Sequence, residues 1–179
     1  MTTKLAQFLG IMLYVLVAGV MWGTWLSLGR TMTRYDAATF LADGKHMIAN
    51  LAVVMAVLMI TACLMGFAMV ALLLRSGSRL AAGLALAGLL LMVAVLVVTL
   101  AVEVPLDNRI KTWTLATLPA DWQGLRERWA IFHTVRTFLS LAAVAAAVAA
   151  TLVGRSDRTG TEVAHRPALA GDRDTRSIG

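Results

Sequence analysis

Cysteine is almost missing from this chain: Cys63 is the only one, in the middle of a long apolar run. No intramolecular disulfide can form, so nothing covalent staples the fold. That excludes two kinds of small four-helix membrane protein: thiol oxidoreductases, which need paired cysteines, and the claudin-like arrangement with its loop disulfide. Cys63 itself reads as a small apolar packing residue. The period-two alternation of a membrane barrel is also absent. So is any cluster of one charge sign. Net charge is +6 with a sequence pI near 10.4, yet acids sit beside bases at Asp157-Arg158, Asp172-Arg173 and Arg126-Glu127-Arg128. Such scatter excludes a nucleic-acid surface. It fits anionic lipid headgroups, with about 1 kcal/mol per well-placed basic residue.

What the chain does have is apolar length. It is 59% hydrophobic with mean hydropathy +0.78, and four runs, 5–28, 47–74, 80–106 and 130–153, hold nearly all of it. Each exceeds the roughly 20 residues that cross a hydrocarbon core of about 30 Å. Backbone amides cannot stay unsatisfied in lipid, so the spans must be helices. The sequence therefore predicts an all-α, four-helix transmembrane bundle over residues 1–153, with a disordered polar tail over 154–179 that contains His165. Lys4 and the weakly cleavage-like Leu16-Val17-Ala18 suggest a signal peptide. A signal's apolar core is only about 7–15 residues, however, whereas this run continues to Leu28, so the first span is expected to stay.

An even number of crossings puts both termini and the Arg75-Ser-Gly-Ser-Arg79 turn on one side, with two longer loops, 29–46 and 107–129, on the other. Lys and Arg counts are close to a tie. The short turn is purely basic, whereas the long loops also carry Asp36, Asp43, Asp107, Asp121 and Glu127, so both termini are expected in the cytoplasm. Helix association in lipid needs close packing of small residues. Gly19 and Gly23, Gly83 and Gly88, and the alanines from Ala142 to Ala150 supply such faces, within one chain or in a homo-oligomer. The series Met55, Met59, Met65 and Met69 reads as deformable packing, since no cysteine or histidine joins it to make a soft-metal site.

All five tryptophans fall toward the long-loop end, and a simple aromatic belt would mark both interfaces. His46 and His133 lie at the same level. Ionisable groups in or beside a span are functional candidates by default, which singles out Glu103, His133 and Arg136. Trp129, His133, Arg136 and Ser140 follow helical spacings and form one stripe that should face the bundle. His46 and Asn50 make a similar pair at the start of the second span. A plainer reading of the same residues is an Arg136–Glu103 ion pair that sets helix register. A metal version would take His46, His133 and Glu103 as ligands, but no HxxxH or HxxE spacing supports it, so no cofactor is expected.

The segment Val104-Pro105-Leu106-Asp107-Asn108-Arg109, a polar loop, and then Trp129-Ala-Ile-Phe-His133-Thr-Val-Arg136-Thr137 resembles the anthrone-oxygenase-like family of small four-helix membrane proteins. The resemblance would run from about Leu5 to Val153, with the specific residues in its second half. It implies that the loop end binds or oxidises a small lipophilic aromatic molecule. His133 would be a general base, its unperturbed pKa near 6.5 being suited to that work. Arg136 would stabilise an enolate or phenolate, Asn108 would orient a polar group, and Glu103 would complete the catalytic set. Trp22, Trp25, His46, Asn50 and Trp129 would line the substrate site. The alternative is a non-enzymatic membrane accessory or a lipid or small-molecule binder. A transporter is disfavoured, because the sequence has no inverted repeats or broken helices.

Overall fold

The computed structural model describes residues 3–29 and 31–164, the last ten by backbone alone. Helix α1 (Thr3–Thr24) ends in a wide π turn, Trp25–Gly29, and a short 3-10 turn, Met32–Arg34, leads to α2 (Ala37–Arg75). Helix α3 (Arg79–Val98) runs through a second π turn, Thr99–Glu103, directly into α4 (Val104–Thr112), and α5 (Trp122–Ala164) completes the chain. Four helical stretches, Thr3–Arg34, Ala37–Arg75, Arg79–Thr112 and Trp122–Gly154, are long and apolar enough to cross a membrane. The chain is an integral membrane protein.

Two helices start earlier than the apolar runs suggest. Helix α2 begins ten residues before residue 47 and α5 eight before residue 130, so the first connection ends at residue 36 rather than 46, and the second spans 113–121 rather than 107–129. The reason is local. Asp36 caps α2, its carboxylate accepting the Thr39 N–H at 2.8 Å, and once capped a helix extends through polar residues as readily as apolar ones. That same hydrogen bond holds the exposed Asp36 carboxyl below its ordinary pKa. Helical backbone continues to Ala164, and residues 165–179 of the expected disordered tail lie outside the described residues.

Neighbours run round the bundle as α1–α2–α3–α5 and back to α1. Lipid-facing residues are apolar, among them Val53, Leu64, Phe67 and Leu80. At the Arg75–Arg79 end, α2 turns into α3 through Gly77, whose φ of 81° suits glycine. Ala81, Ala82 and Ala85 of α3 pack there against Ala143, Ala147 and Ala150 of α5, all buried. The backbones nearly touch: a Cβ on Gly88 would sit 3.1 Å from the Ala143 carbonyl oxygen. This bears out the small-residue reading for α3 and α5. Gly19, Gly23 and Gly83 behave differently, since all three are exposed and a Cβ on any of them would meet nothing within 4 Å.

The opposite end has its own core of Met32, Phe40, Leu41, Ile48, Leu106, Ile110, Trp113 and Trp129. Two cations clamp its connections. Arg126, buried and stacked 4.9 Å over the Trp122 ring, donates to the Tyr35 carbonyl at 2.9 Å. Lys45 donates to the Trp113 carbonyl at 2.6 Å.

Candidate functional site

Below this second core, the π turn at Thr99–Glu103 carries one extra residue per turn just before Pro105, which has no N–H to continue the ladder. The widened turn directs Thr99 and Glu103 at α5. There Arg136, with its side chain 12% exposed, meets three partners. Nη2 lies 3.2 Å from Glu103 Oε2, Nη1 donates to Thr99 Oγ1 at 3.1 Å, and Nη2 lies 3.1 Å from His133 Nδ1. Glu103 is 1% exposed. A bare charge at that depth is costly, so each ion requires the other. Thr99 is oriented for its part, because its hydroxyl hydrogen goes to the Val95 carbonyl and leaves the oxygen free to accept.

The stripe on α5 is as spaced in the sequence. Trp129, His133 and Ser140 are buried and Arg136 nearly so, and the Trp129 indole stacks flat on the His133 ring at 4.8 Å. Thr137 and Ser140 return their hydroxyl hydrogens to α5 carbonyls. Polar demand in the cluster exceeds supply. Both Glu103 oxygens, Asp107 Oδ1, His133 Nε2 and Arg136 Nε are buried without a well-formed hydrogen bond among the described residues. The His133 ring lies by the Met21 backbone, and its Nε2 has no well-formed hydrogen bond among the described residues.

A cavity of about 220 Å³ adjoins the cluster. His133, Arg136, Trp129, Thr99 and Asp107 form its polar wall, and apart from Thr24 the rest is apolar, chiefly Met21, Ile48, Met55 and Met59. Its rim includes Ala52, Ala56, Ile60, Leu100 and Val104, exposed residues of α2 and of the π turn and α4. The cavity thus opens sideways between helices, toward lipid.

Of the candidate residues, Glu103, His133, Arg136 and Trp129 come together. Asn108 does not join them; it is exposed, and its amide oxygen accepts from Lys111 at 3.3 Å. His46 and Asn50 are exposed on α2 and do not line the cavity. Trp22 and Trp25 stack on each other at 5.1 Å and pack edge-on against Phe138, outside the cavity, with the Trp25 indole N–H donating to Thr134 at 3.1 Å. With His46 turned away, the set His46, His133 and Glu103 is not assembled. Among the described residues no group of three or more His, Cys, Asp or Glu side chains could hold a metal ion. Two participants were not singled out from sequence, Thr99 and Asp107. Their signal was present: Thr99, Glu103 and Asp107 follow each other at intervals of four, the spacing of one helix face.

A family model described as anthrone oxygenase matches residues 41–146, from early α2 to the middle of α5, and so takes in the whole polar cluster. No curated protein and no solved structure matches the chain.

Proposed function

Because the chain belongs to the anthrone oxygenase family, we propose that it oxidises a small lipophilic aromatic molecule of the anthrone type, a fused-ring ketone with an acidic CH₂, in the cavity between α2 and α4. The observation that carries this reading is the cavity itself: apolar walls and a lipid-side opening, with one polar wall of Trp129, His133, Arg136 and Asp107. Small-molecule sites are usually apolar with a few convergent polar groups. A volume of about 220 Å³ lies below the common range of about 300–1,000 Å³, which favours a compact, flat ligand. Trp129 offers it a ring face. The Arg136 guanidinium suits the negative charge that gathers on the ketone oxygen when the CH₂ loses a proton, since preorganised donors stabilise developing oxyanions. A carbanion of this kind reacts with dioxygen, so CH₂ and O₂ become a quinone carbonyl and water.

The test is to supply anthrone and air to the protein in lipid nanodiscs and to follow anthraquinone by absorbance alongside oxygen uptake. One oxygen consumed per quinone is expected, and Arg136→Lys should lower the rate by roughly 10²-fold, the scale of one lost oxyanion donor. Tryptophan quenching by anthrone with no quinone formed would mark a binder and reject the oxidation.

A further inference from the structure

We propose that Asp107 is the base that ionises the bound substrate, and that His133 acts beside it as a hydrogen-bond donor through Nε2–H. The proposal rests on the reading of the cavity as a site of oxidation at an acidic CH₂, and it departs from the role the sequence suggested for His133.

The first step concerns the tautomer. A guanidinium has donors only, so the 3.1 Å contact between Arg136 Nη2 and His133 Nδ1 requires Nδ1 to be the acceptor. A neutral imidazole carries one proton, which must then sit on Nε2. Nδ1, the lone pair that could take a substrate proton, is already committed to Arg136. Protonating it would set two cations face to face. What His133 can offer a ligand is a donor.

The second step divides the two carboxylates. Glu103 is buried against Arg136 at 3.2 Å and does not line the cavity. It balances the guanidinium. Asp107 follows one turn later, lines the cavity, and keeps Oδ1 free of any hydrogen bond. The Trp129 side chain engages its carboxylate, and the charged groups bearing on it are Arg136 and the exposed Lys111. With Glu103 held against Arg136 away from the cavity, Asp107 is the carboxylate that lines it with an oxygen free, and so the one placed to take a proton from a bound molecule.

Atoms and electrons balance as follows. Asp107 takes one proton from the CH₂, and the C–H electron pair spreads onto the ketone oxygen, which accepts from His133 Nε2–H and the Arg136 guanidinium. The carbanion carbon forms a bond to dioxygen, the carbon being oxidised and the oxygen reduced to a peroxide. The remaining C–H pair becomes the second C=O bond as the O–O bond breaks, and that proton passes to the departing outer oxygen, which leaves as hydroxide. Hydroxide takes the proton held by Asp107 and leaves as water.

The full chain in nanodiscs is first given anthrone without oxygen, with binding read from tryptophan quenching and ionisation from the visible band of the anthrone anion. Air is then admitted and quinone followed. Asp107→Asn should bind anthrone normally, fail to raise the anion band, and form quinone about 10²-fold or more slowly, the usual contribution of a positioned base. If its rate stays within about threefold of wild type, a loss too small for a lost base, the assignment of Asp107 is overturned while the oxidation stands. If the wild type binds anthrone but raises neither anion nor quinone, the oxidation reading falls and this proposal with it. Should Asp107→Asn unfold, Asp107→Glu decides: a retained anion band with slower quinone formation supports the base, and an unchanged rate overturns it. A separate readout needs no turnover. In ¹⁵N-histidine-labelled protein, His133 should show a protonated ε nitrogen and an unprotonated δ nitrogen, and the reverse pattern would overturn its role as donor.

Discussion

At the end closed by the Arg75–Arg79 turn, α3 and α5 meet almost backbone to backbone, with Gly88 lying between Ala143 and Ala147. At the other end the continuation of α3 is parted from the same helix by Glu103, Arg136 and Thr99, and the cavity adjoins them. Both solutions answer the same physical problem. Lipid gives helices no hydrophobic reason to associate, so they must either approach closely or share polar groups. The alanine end takes the first course and leaves no room for anything else. The polar end takes the second, and the space between its side chains becomes a place where a ligand can sit. Unsatisfied polar atoms are confined largely to that end, so its local stability should be lower than that of the alanine end.

The strongest way to break this contrast is to remove one member of the ion pair. Glu103→Ala or Arg136→Ala should cost about 3–5 kcal/mol, the usual result of stranding a buried charge, read as a lowered melting temperature in detergent. The double variant should lose less than the sum of the singles, because the pair is coupled. Next is Gly88→Val at the alanine end. Its side chain would press on the Ala143 and Ala147 backbone, which cannot rotate away, and should cost about 1–3 kcal/mol with little change in any activity of the distant cavity. A smaller effect is expected at residues that sequence alone connects to the site: Asn108→Ala and His46→Ala should leave quinone formation within about twofold, since neither lines the cavity and one lost transition-state contact would cost far more. The smallest effect concerns Asp36. Its pKa is lowered in the folded protein by the Thr39 N–H, so its stabilisation is present above the ordinary carboxylate range and is lost as pH falls through the lowered value. Acid titration of the melting temperature should therefore be slightly flatter in Asp36→Ala than in wild type.

The four spans were legible because burial in lipid demands long apolar runs, and nothing else in the chain competes with that signal. Helix ends were not. Apolarity marks where lipid begins and ends, whereas α2 is set by the Asp36 cap, and both α2 and α5 run through charged residues, Asp43 and Lys45 in one and Arg126 and Arg128 in the other. The α5 stripe was legible because its helix is regular, so spacing in sequence is spacing in space. Asp107 reads from sequence as one of the loop acids, because the apolar run ends at Leu106; α4 runs straight on from α3 and brings it inward. Trp22 and Trp25 were assigned to the site on level alone. Level is readable from sequence, but which way a residue faces at the end of α1 depends on the π turn there.

The π turn at Thr99–Glu103 has a consequence for how this site could be gained or lost. A π turn amounts to a single residue inserted into a regular helix. Deleting one residue there would return the helix to ordinary phase and rotate everything beyond it by about 100°, swinging Asp107 off the cavity while leaving the alanine-packed end undisturbed. One codon therefore separates a cavity whose polar wall includes Asp107 from one left with the α5 groups Trp129, His133 and Arg136. A variant of this chain lacking that residue should keep the alanine-packed bundle and lose Asp107 from the cavity wall.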